Sequence, residues 1–173
     1  MDSTIYLKQD YLIKHYCCQE EMWREWQAVN ACYSACIQKA ISIDEHKLVI
    51  YLEYYPDSRS LNELKEHEID LWVFVLPKVI DAIAHCHQQG WVHGDIKPSN
   101  ILFNETLGIV RLIDFGASNP IGTNRNALNK WQLTPMFSSE NQKLGVGYVE
   151  EEDDWYALAK MMQQVEGKLL GKI

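Results

Sequence analysis

Residues 93–103, HGDIKPSNILF, place an Asp, a Lys two residues later and an Asn three residues beyond that on one short segment. Upstream, residues 77–90 are apolar at helical spacing, and the Gly at the end of this run can end a helix in the left-handed conformation. Downstream, two short apolar runs, 101–103 and 109–113, flank the loop sequence NETLG and predict a hairpin. The three polar residues are therefore predicted on a loop between a helix and a hairpin.

A fourth polar residue follows the hairpin, because Asp114 stands in LIDFGAS directly after the second apolar run. Phosphoryl transfer needs a carboxylate to orient the attacking hydroxyl, a cation on the developing charge and oxygen ligands for Mg²⁺. Asp95, Lys97, Asn100 and Asp114 supply these groups, whereas a His or Cys pair would have indicated zinc. The pattern thus favours transfer of a phosphoryl group.

Composition limits the classes of partner. The 173 residues have a formal net charge of −8, with 47% hydrophobic and 23% charged residues. The acidic balance argues against a nucleic-acid partner, and the apolar fraction predicts an ordered globular fold. The N-terminus lacks the pattern of a secretory leader, and the apolar run 71–77 is far too short to span a membrane. Five Cys without a paired CxxC spacing indicate reduced thiols. We expect a cytoplasmic protein with no membrane partner.

Periodicity predicts the remaining elements. Residues 4–13 mix apolar and polar residues in the manner of a strand or short hairpin. Residues 18–36 have apolar residues at helical spacing, and 47–55 predict a strand. A last helix is predicted over 155–165, preceded by acidic residues that favour a helix N-terminus.

HGDIKPSN followed by IDFG resembles the catalytic loop and metal-binding motif of eukaryotic-type (Hanks-type) Ser/Thr protein kinases. EYY from Glu53 resembles the hinge of that family, and DWYALA from Asp154 resembles its central C-lobe helix. The resemblance implies an α+β, two-lobed protein kinase-like fold with a truncated N-lobe sheet and a mainly helical C-lobe. It implies a single domain over 1–173, with a reduced N-lobe and hinge in 1–55 and a shortened C-lobe in 56–173.

The resemblance also implies roles for the four polar residues. Asp95 would orient the substrate hydroxyl and accept its proton, and Lys97 would stabilise the transferring phosphoryl group. Asn100 and Asp114 would hold Mg²⁺ and thereby bind the nucleotide. Because Lys two residues after the catalytic Asp is typical of Ser/Thr kinases, a protein substrate with a Ser or Thr acceptor is implied. The cofactors implied are ATP and Mg²⁺.

Further nucleotide-binding residues follow from the same resemblance. Glu53 and Tyr55 would contribute to the adenine-binding hinge, and Leu102 would pack under the adenine. Lys8 is matched to the strand lysine that contacts the α and β phosphates, and Glu25 to its helix partner. The alternatives for these two positions are Lys14 and Glu21. Asp154 would tie the catalytic loop to the C-lobe helix.

The sequence departs from the family pattern in several places. Only seven residues precede Lys8, so we expect the two strands and the Gly-rich loop that cover the phosphates to be absent, and no stretch resembles GxGxxG. Gly94 replaces the usual Arg before the catalytic Asp, which argues against control by loop phosphorylation. In TPMFSSE, Ser139 stands where Pro is usual. Glu140 would lack its usual late Arg partner, since the last Arg is Arg125.

The chain also stops just after the stretch that resembles the central C-lobe helix of the family. An uncovered apolar face would then remain, which predicts a homo-oligomer or a partner protein that covers the shortened lobes.

Three functions remain open. The first is a Ser/Thr protein kinase, favoured because the four chemical residues are present. The second is a pseudokinase or interaction module that binds a partner without phosphoryl transfer. The third is a small-molecule phosphotransferase of the aminoglycoside or choline kinase type, in which HGD is common.

Overall fold

The computed structural model describes residues 4–68, 70–129 and 131–169. Its first part is an antiparallel sheet with strand order β1-β2-β4-β3 and one helix, α1, between β2 and β3 in the chain. The strands are β1 (Thr4–Lys8), β2 (Tyr11–His15), β3 (Ala40–Asp44) and β4 (Val49–Glu53), and α1 is Gln19–Ala31.

The second part is mainly helical and contains the predicted loop. Its helices are α2 (Leu71–Gln88), α3 (Glu140–Leu144) and α4 (Glu152–Leu169). Its strands are β5 (Arg59–Ser60), β6 (Trp91–Val92), β7 (Ile101–Asn104), β8 (Ile109–Leu112) and β9 (Asn119–Pro120), and β5-β7-β8 form one sheet while β6 pairs with β9. The α+β class and the hairpin after the loop are confirmed.

Two apolar clusters organise these parts. The larger one joins α2, α4 and the β7-β8 hairpin, with Ile83, Phe115 and Met161 fully buried. The smaller one packs Met22 of α1 against Ile50 of the first sheet. The two parts are also joined by backbone hydrogen bonds between residues 36–38 and Leu112. The predicted loop lies where these two parts meet.

Helix α2 begins at Leu71, six residues before the predicted start at Pro77. Apolar residues of the preceding run are buried, among them Trp72 and Val75, so packing extends the helix N-terminal to the proline. Pro77 removes the hydrogen bond to the carbonyl of Val73. Val73 is 72% exposed, and water can satisfy that carbonyl.

Strand β3 was not predicted. Its sequence, AISID, includes small and polar residues, and all five of its side chains remain partly or fully exposed on the sheet edge. None of the helices in the described ranges is both long enough and apolar enough to cross a membrane.

Candidate active site

Gly94 sets the backbone course of the loop that precedes Asp95. Its φ is +80°, a region that residues with a side chain rarely adopt. A Cβ at this position would lie 2.7 Å from the carbonyl oxygen of Ala117. The local packing of this chain therefore requires glycine at position 94, where the family usually has Arg.

Asp154 holds the backbone of the same loop, as the resemblance implied. Its carboxylate is fully buried and accepts hydrogen bonds from the backbone N–H groups of His93 and Gly94, each at 2.8 Å. The imidazole Nε2 of His87 lies 2.9 Å from the same carboxylate. Gln142 donates to the Gly94 carbonyl at 2.7 Å, a support that the sequence did not reveal.

Asp95, Lys97 and Asn100 converge on one point. The ammonium of Lys97 lies 2.6 Å from Oδ2 of Asp95 and 2.9 Å from the hydroxyl of Thr134. Asn100 donates from Nδ2 to the Asp95 carbonyl at 2.9 Å and to its carboxylate at 3.2 Å. Oδ1 of Asp95 is buried and has no hydrogen-bond partner among the described residues. That oxygen therefore retains the capacity to accept one hydrogen bond.

A second charged group lies where the first sheet, α1 and the segment after β8 meet. Lys14 of β2 contacts both carboxylate oxygens of Glu25, at 2.8 and 2.6 Å, and Oδ1 of Asp114 at 2.5 Å. The side chains of Lys14 and Glu25 are each 1% exposed, and that of Asp114 is 34% exposed. Asp114 is therefore the member of this group that a ligand can reach.

These contacts correct the predicted pair of Lys8 with Glu25. Lys8 is exposed on the edge strand β1, whereas Lys14 lies on β2, between β1 and β4. The alternation of side chains along a strand puts Leu12, Lys14 and Tyr16 on one face. Leu12 packs against the smaller apolar cluster and Tyr16 is buried in it, so this pattern could have identified Lys14 from the sequence.

The correction also changes the count of strands before the lysine. Strand β1 precedes the Lys14 strand and pairs with it, so one of the two strands expected to be missing is present. Their turn places Gln9 at a φ of 54°, and neither residue of that turn is glycine.

The pKa values of this group reflect its mutual contacts. Burial alone would raise the pKa of Asp114, but the charge of Lys14 and its hydrogen bond hold that pKa below the ordinary value. Burial alone would lower the pKa of Lys14, but Glu25 and Asp114 raise it above the ordinary value. Both directions favour the ionised forms of Asp114 and Lys14 at neutral pH.

The predicted hinge residues lie beside the β7-β8 hairpin. The hydroxyl of Tyr55 donates to Glu53 at 3.3 Å, and the Tyr55 ring lies under the guanidinium of Arg111, 4.2 Å from its centroid. Arg111 is the register partner of Leu102. The structure thus brings Glu53, Tyr55 and Leu102 to one region, and their contact with adenine stays a prediction.

The segment between Asp114 and α3 is held by a network that the sequence did not reveal. Arg125 forms an ion pair with Asp153, and both side chains are buried. Ser139 donates to the same carboxylate at 3.2 Å and also caps α3, accepting from the backbone of Gln142. Glu140 is exposed and pairs with Lys143 on its own helix. Arg125 therefore anchors this segment through Asp153 instead of Glu140.

The donor set suits a magnesium ion bound with a nucleotide. Nδ2 of Asn100 is used by Asp95, which leaves the amide oxygen for a ligand. Asp114 is partly exposed and has its Oδ1 on Lys14. Mg²⁺ prefers oxygen ligands and binds through one or two carboxylates together with substrate phosphates. Asn100 and Asp114 fit this requirement.

Comparisons with known proteins agree with this geometry. A family model described as protein kinase domain matches residues 6–170. The chain is 37% identical over 86 residues to the citron Rho-interacting kinase of Rattus norvegicus, covering 47% of the chain and 4% of that protein. It is 26% identical over 164 residues to human serine/threonine-protein kinase MRCK gamma, covering 80% of the chain and 10% of that protein. The chain thus spans a small part of these relatives.

A solved structure shows the same fold. The kinase PK-1 of Cydia pomonella granulovirus superposes with a TM-score of 0.68 over 94% of this chain and 60% of that one. The two sequences are 16% identical, so this likeness concerns the fold alone.

Proposed function

Because the chain belongs to the protein kinase family, we propose that it transfers the γ-phosphoryl group of ATP to a Ser or Thr hydroxyl of a protein. The observation that carries the proposal is the convergence of Asp95, Lys97, Asn100 and Thr134 beside the Lys14, Glu25 and Asp114 group. The two sets supply groups for the acceptor and for the nucleotide on neighbouring segments of one fold.

Asp95 acts on the acceptor. Its free carboxylate oxygen accepts a hydrogen bond from the substrate hydroxyl and takes the proton as the new bond between oxygen and the γ-phosphorus forms. The bond from the γ-phosphorus to the bridging oxygen breaks in the same reaction, and ADP leaves with the electron pair. Lys97 is held within reach by Asp95 and Thr134, where its charge stabilises the transferring phosphoryl group.

Lys14 acts on the nucleotide. It is fixed by Glu25 and can exchange its contact with Asp114 for the α and β phosphates of ATP. Asn100 and Asp114 would hold Mg²⁺, which neutralises charge on the phosphates when bound. In this proposal the phosphate-binding lysine is Lys14, and its contact with Asp114 supports a site for phosphates and metal at the same point.

The choice of acceptor is part of the proposal. A Lys two residues after Asp95 is the form that the resemblance gives for Ser/Thr kinases, and in the structure this Lys97 contacts the hydroxyl of Thr134. Relatives named as serine/threonine-protein kinases support the same acceptor. The protein kinase match favours a protein substrate over a sugar or amino alcohol. A cytoplasmic location is also part of the proposal, since the cysteines have no paired CxxC spacing.

An interaction module without phosphoryl transfer is the second candidate. It is favoured by the edge strand β1, whose residues Ile5, Tyr6 and Leu7 are each about half exposed. An open apolar strand edge is a surface on which another chain can pair. A partner protein or a second copy on this edge is compatible with either function.

Two measurements test the proposal. ATP binding with and without Mg²⁺ should be compared for the wild type and Asp114→Ala, and phosphate transfer to a mixture of generic proteins should be measured for the wild type and Asp95→Asn. We expect Mg²⁺-dependent binding that Asp114→Ala loses, and transfer that falls about 10²–10⁴-fold in Asp95→Asn, with ATP binding retained. An Asp95→Asn variant with wild-type transfer rates would refute the proposal.

A further inference from the structure

A cavity of about 250 Å³ adjoins the catalytic loop and is not used by the chemistry described above. Its walls come from the segment after β5, the start of α2, the catalytic loop, the segment after Thr134 and α4. Lys97 belongs both to this wall and to the acceptor site, where it contacts Asp95 at 2.6 Å. The cavity therefore begins one side chain away from the position of the substrate hydroxyl.

The lining of the cavity is apolar at depth. Leu61, Trp72, Phe137, Met161 and Val165 contribute to it, and each of these side chains is less than 10% exposed overall. Apolar surface of this kind is stabilised by covering it with another apolar group. The size lies just below the range of about 300–1,000 Å³ that is usual for small-ligand pockets, which suits one large side chain better than a whole ligand.

The charged residues that line the cavity do not suit a basic side chain. Among the described lining residues none is acidic, and Lys65 and Lys97 are both present. The nearby carboxylates of Glu63 and Glu68 are engaged elsewhere, with Ser60 and with Arg59 and the Lys65 backbone. Lys97 is already paired with Asp95, so a Lys or Arg side chain placed here would face the ammonium of Lys65 and find no carboxylate among the described lining residues.

We propose that this cavity is a specificity subsite that receives one large apolar side chain, of the size of Leu, Met or Phe, from the peptide that carries the acceptor. The inference rests on the proposed function. An extended peptide advances about 3.3–3.6 Å per residue, so the side chain would lie about one to three residues from the acceptor. The protein would then phosphorylate Ser or Thr in apolar rather than basic sequences.

The test uses a peptide library with a fixed Ser or Thr and a scan of each flanking position. We expect about tenfold faster phosphorylation with Leu, Met or Phe than with Arg at one of these positions. Gln164→Glu adds a carboxylate to the wall, where Gln164 donates to the sulfur of Met136. This variant should weaken the apolar preference and improve peptides with Arg at that position.

Gln163→Glu is the matched control, since Gln163 is the exposed neighbour on the same helix and does not line the cavity. It should leave the preference as in the wild type. Equal rates for all residues at every flanking position, or the same profile in both variants, would overturn the subsite while leaving the kinase activity in place.

A binding measurement separates failure of the subsite from failure of the kinase function. The methyl group of the buried Met161 is followed by NMR while Asp95→Asn protein is titrated with a Leu-containing peptide and its Ala counterpart. A Met161 shift with the Leu peptide alone supports the subsite even if no peptide is phosphorylated. No shift with either peptide, or a shift that grows with protein concentration alone because a second copy fills the cavity, would overturn it.

Discussion

The ammonium of Lys14 lies 2.5 Å from Oδ1 of Asp114, although 100 positions separate the two residues in the chain. Lys14 belongs to the first sheet and Asp114 follows the hairpin of the helical part. Glu25 of α1 holds the same ammonium through both of its oxygens. The ion group thus joins the two parts of the fold at the point where we place the nucleotide.

Replacement of Lys14 should separate its role from that of Lys8. In Lys14→Met the carboxylate of Glu25 stays buried without its charge partner, and we expect a loss of about 3–5 kcal/mol in the free energy of unfolding. Phosphoryl transfer should also be lost. Lys8→Met changes an exposed lysine on an edge strand, so its free energy of unfolding and its rate of phosphoryl transfer should both stay close to those of the wild type. Urea unfolding and a phosphate-transfer assay check these expectations.

A double variant controls for unfolding. Lys14→Met combined with Glu25→Leu removes both buried charges and should recover much of the stability. Transfer should stay absent, because the cation for the phosphates is still missing. Recovery of activity in the double variant would show that Lys14 acts only through stability.

Acid should weaken the contact between Lys14 and Asp114 in a defined window. The pKa of Asp114 is lower in the folded chain than its unfolded value of about 3.9, so its stabilising effect is complete above that value. The effect is lost as the pH falls through the lower folded pKa. The wild type should therefore exceed Asp114→Asn in stability by a constant amount from pH 7 to about 5, and the difference should shrink below about pH 4.

Urea unfolding of both proteins at several pH values gives this difference directly. Other acid-sensitive groups are present in both proteins and cancel in the comparison. A difference that grows on acidification would contradict the lowered pKa of Asp114.

Candidate site residues that lie close together in the chain could be grouped from the sequence. Asp95, Lys97 and Asn100 stand on one loop, and the hairpin that follows brings Asp114 near them, so spacing was enough. The predicted hinge and the role of Asp154 depend on similarly short motifs. The α+β class was implied by the resemblance to protein kinases, and the helical and strand periodicity of the same stretches agreed with it.

What the sequence missed depends on contacts between distant segments. Arg125 pairs with Asp153 and Gln142 reaches Gly94, and no local pattern connects either pair. Lys14 was passed over because the motif match favoured an earlier lysine, although burial of its strand face distinguishes it from Lys8. Side-chain alternation along β2 carried information that the motif did not.

Gly94 offers a test of the loop geometry with a matched control. Gly94 and Gly90 both have a φ of +80°, but only at Gly94 would a Cβ meet a backbone oxygen, at 2.7 Å. Both Gly→Ala variants should lose about 1–3 kcal/mol from the backbone conformation, and Gly94→Ala should lose more because of the clash. It should also lower kcat, since Asp95 is the next residue.

The comparison is made by urea unfolding and steady-state kinetics on the two variants. Gly90→Ala should keep a wild-type kcat for its folded fraction. Equal effects of the two substitutions on kcat would mean that the close approach of Gly94 to Ala117 does not position Asp95.

The ion pair between Arg125 and Asp153 should keep the segment after Asp114 ordered without phosphorylation. The buried pair with Asp153 and the hydrogen bond from Ser139 hold this segment on α4, and Thr134, which contacts Lys97, lies between Arg125 and Ser139. We therefore expect phosphatase treatment to leave the activity of the wild type unchanged. Arg125→Met should cost about 3–5 kcal/mol of stability and lower kcat, because it leaves Asp153 buried and unpaired.

The double variant Arg125→Met with Asp153→Leu then separates two effects. One is the loss of stability from an unpaired buried charge, and the other is the loss of kcat from a segment that is no longer held on α4. The double variant removes the buried charges and should regain stability, while kcat stays low because the segment that carries Thr134 is no longer fixed to α4. Calorimetry gives the stability and a peptide assay gives kcat. Full activity in the double variant, or a wild type inactivated by phosphatase, would show that the position of Thr134 is set by something other than the Arg125 and Asp153 pair.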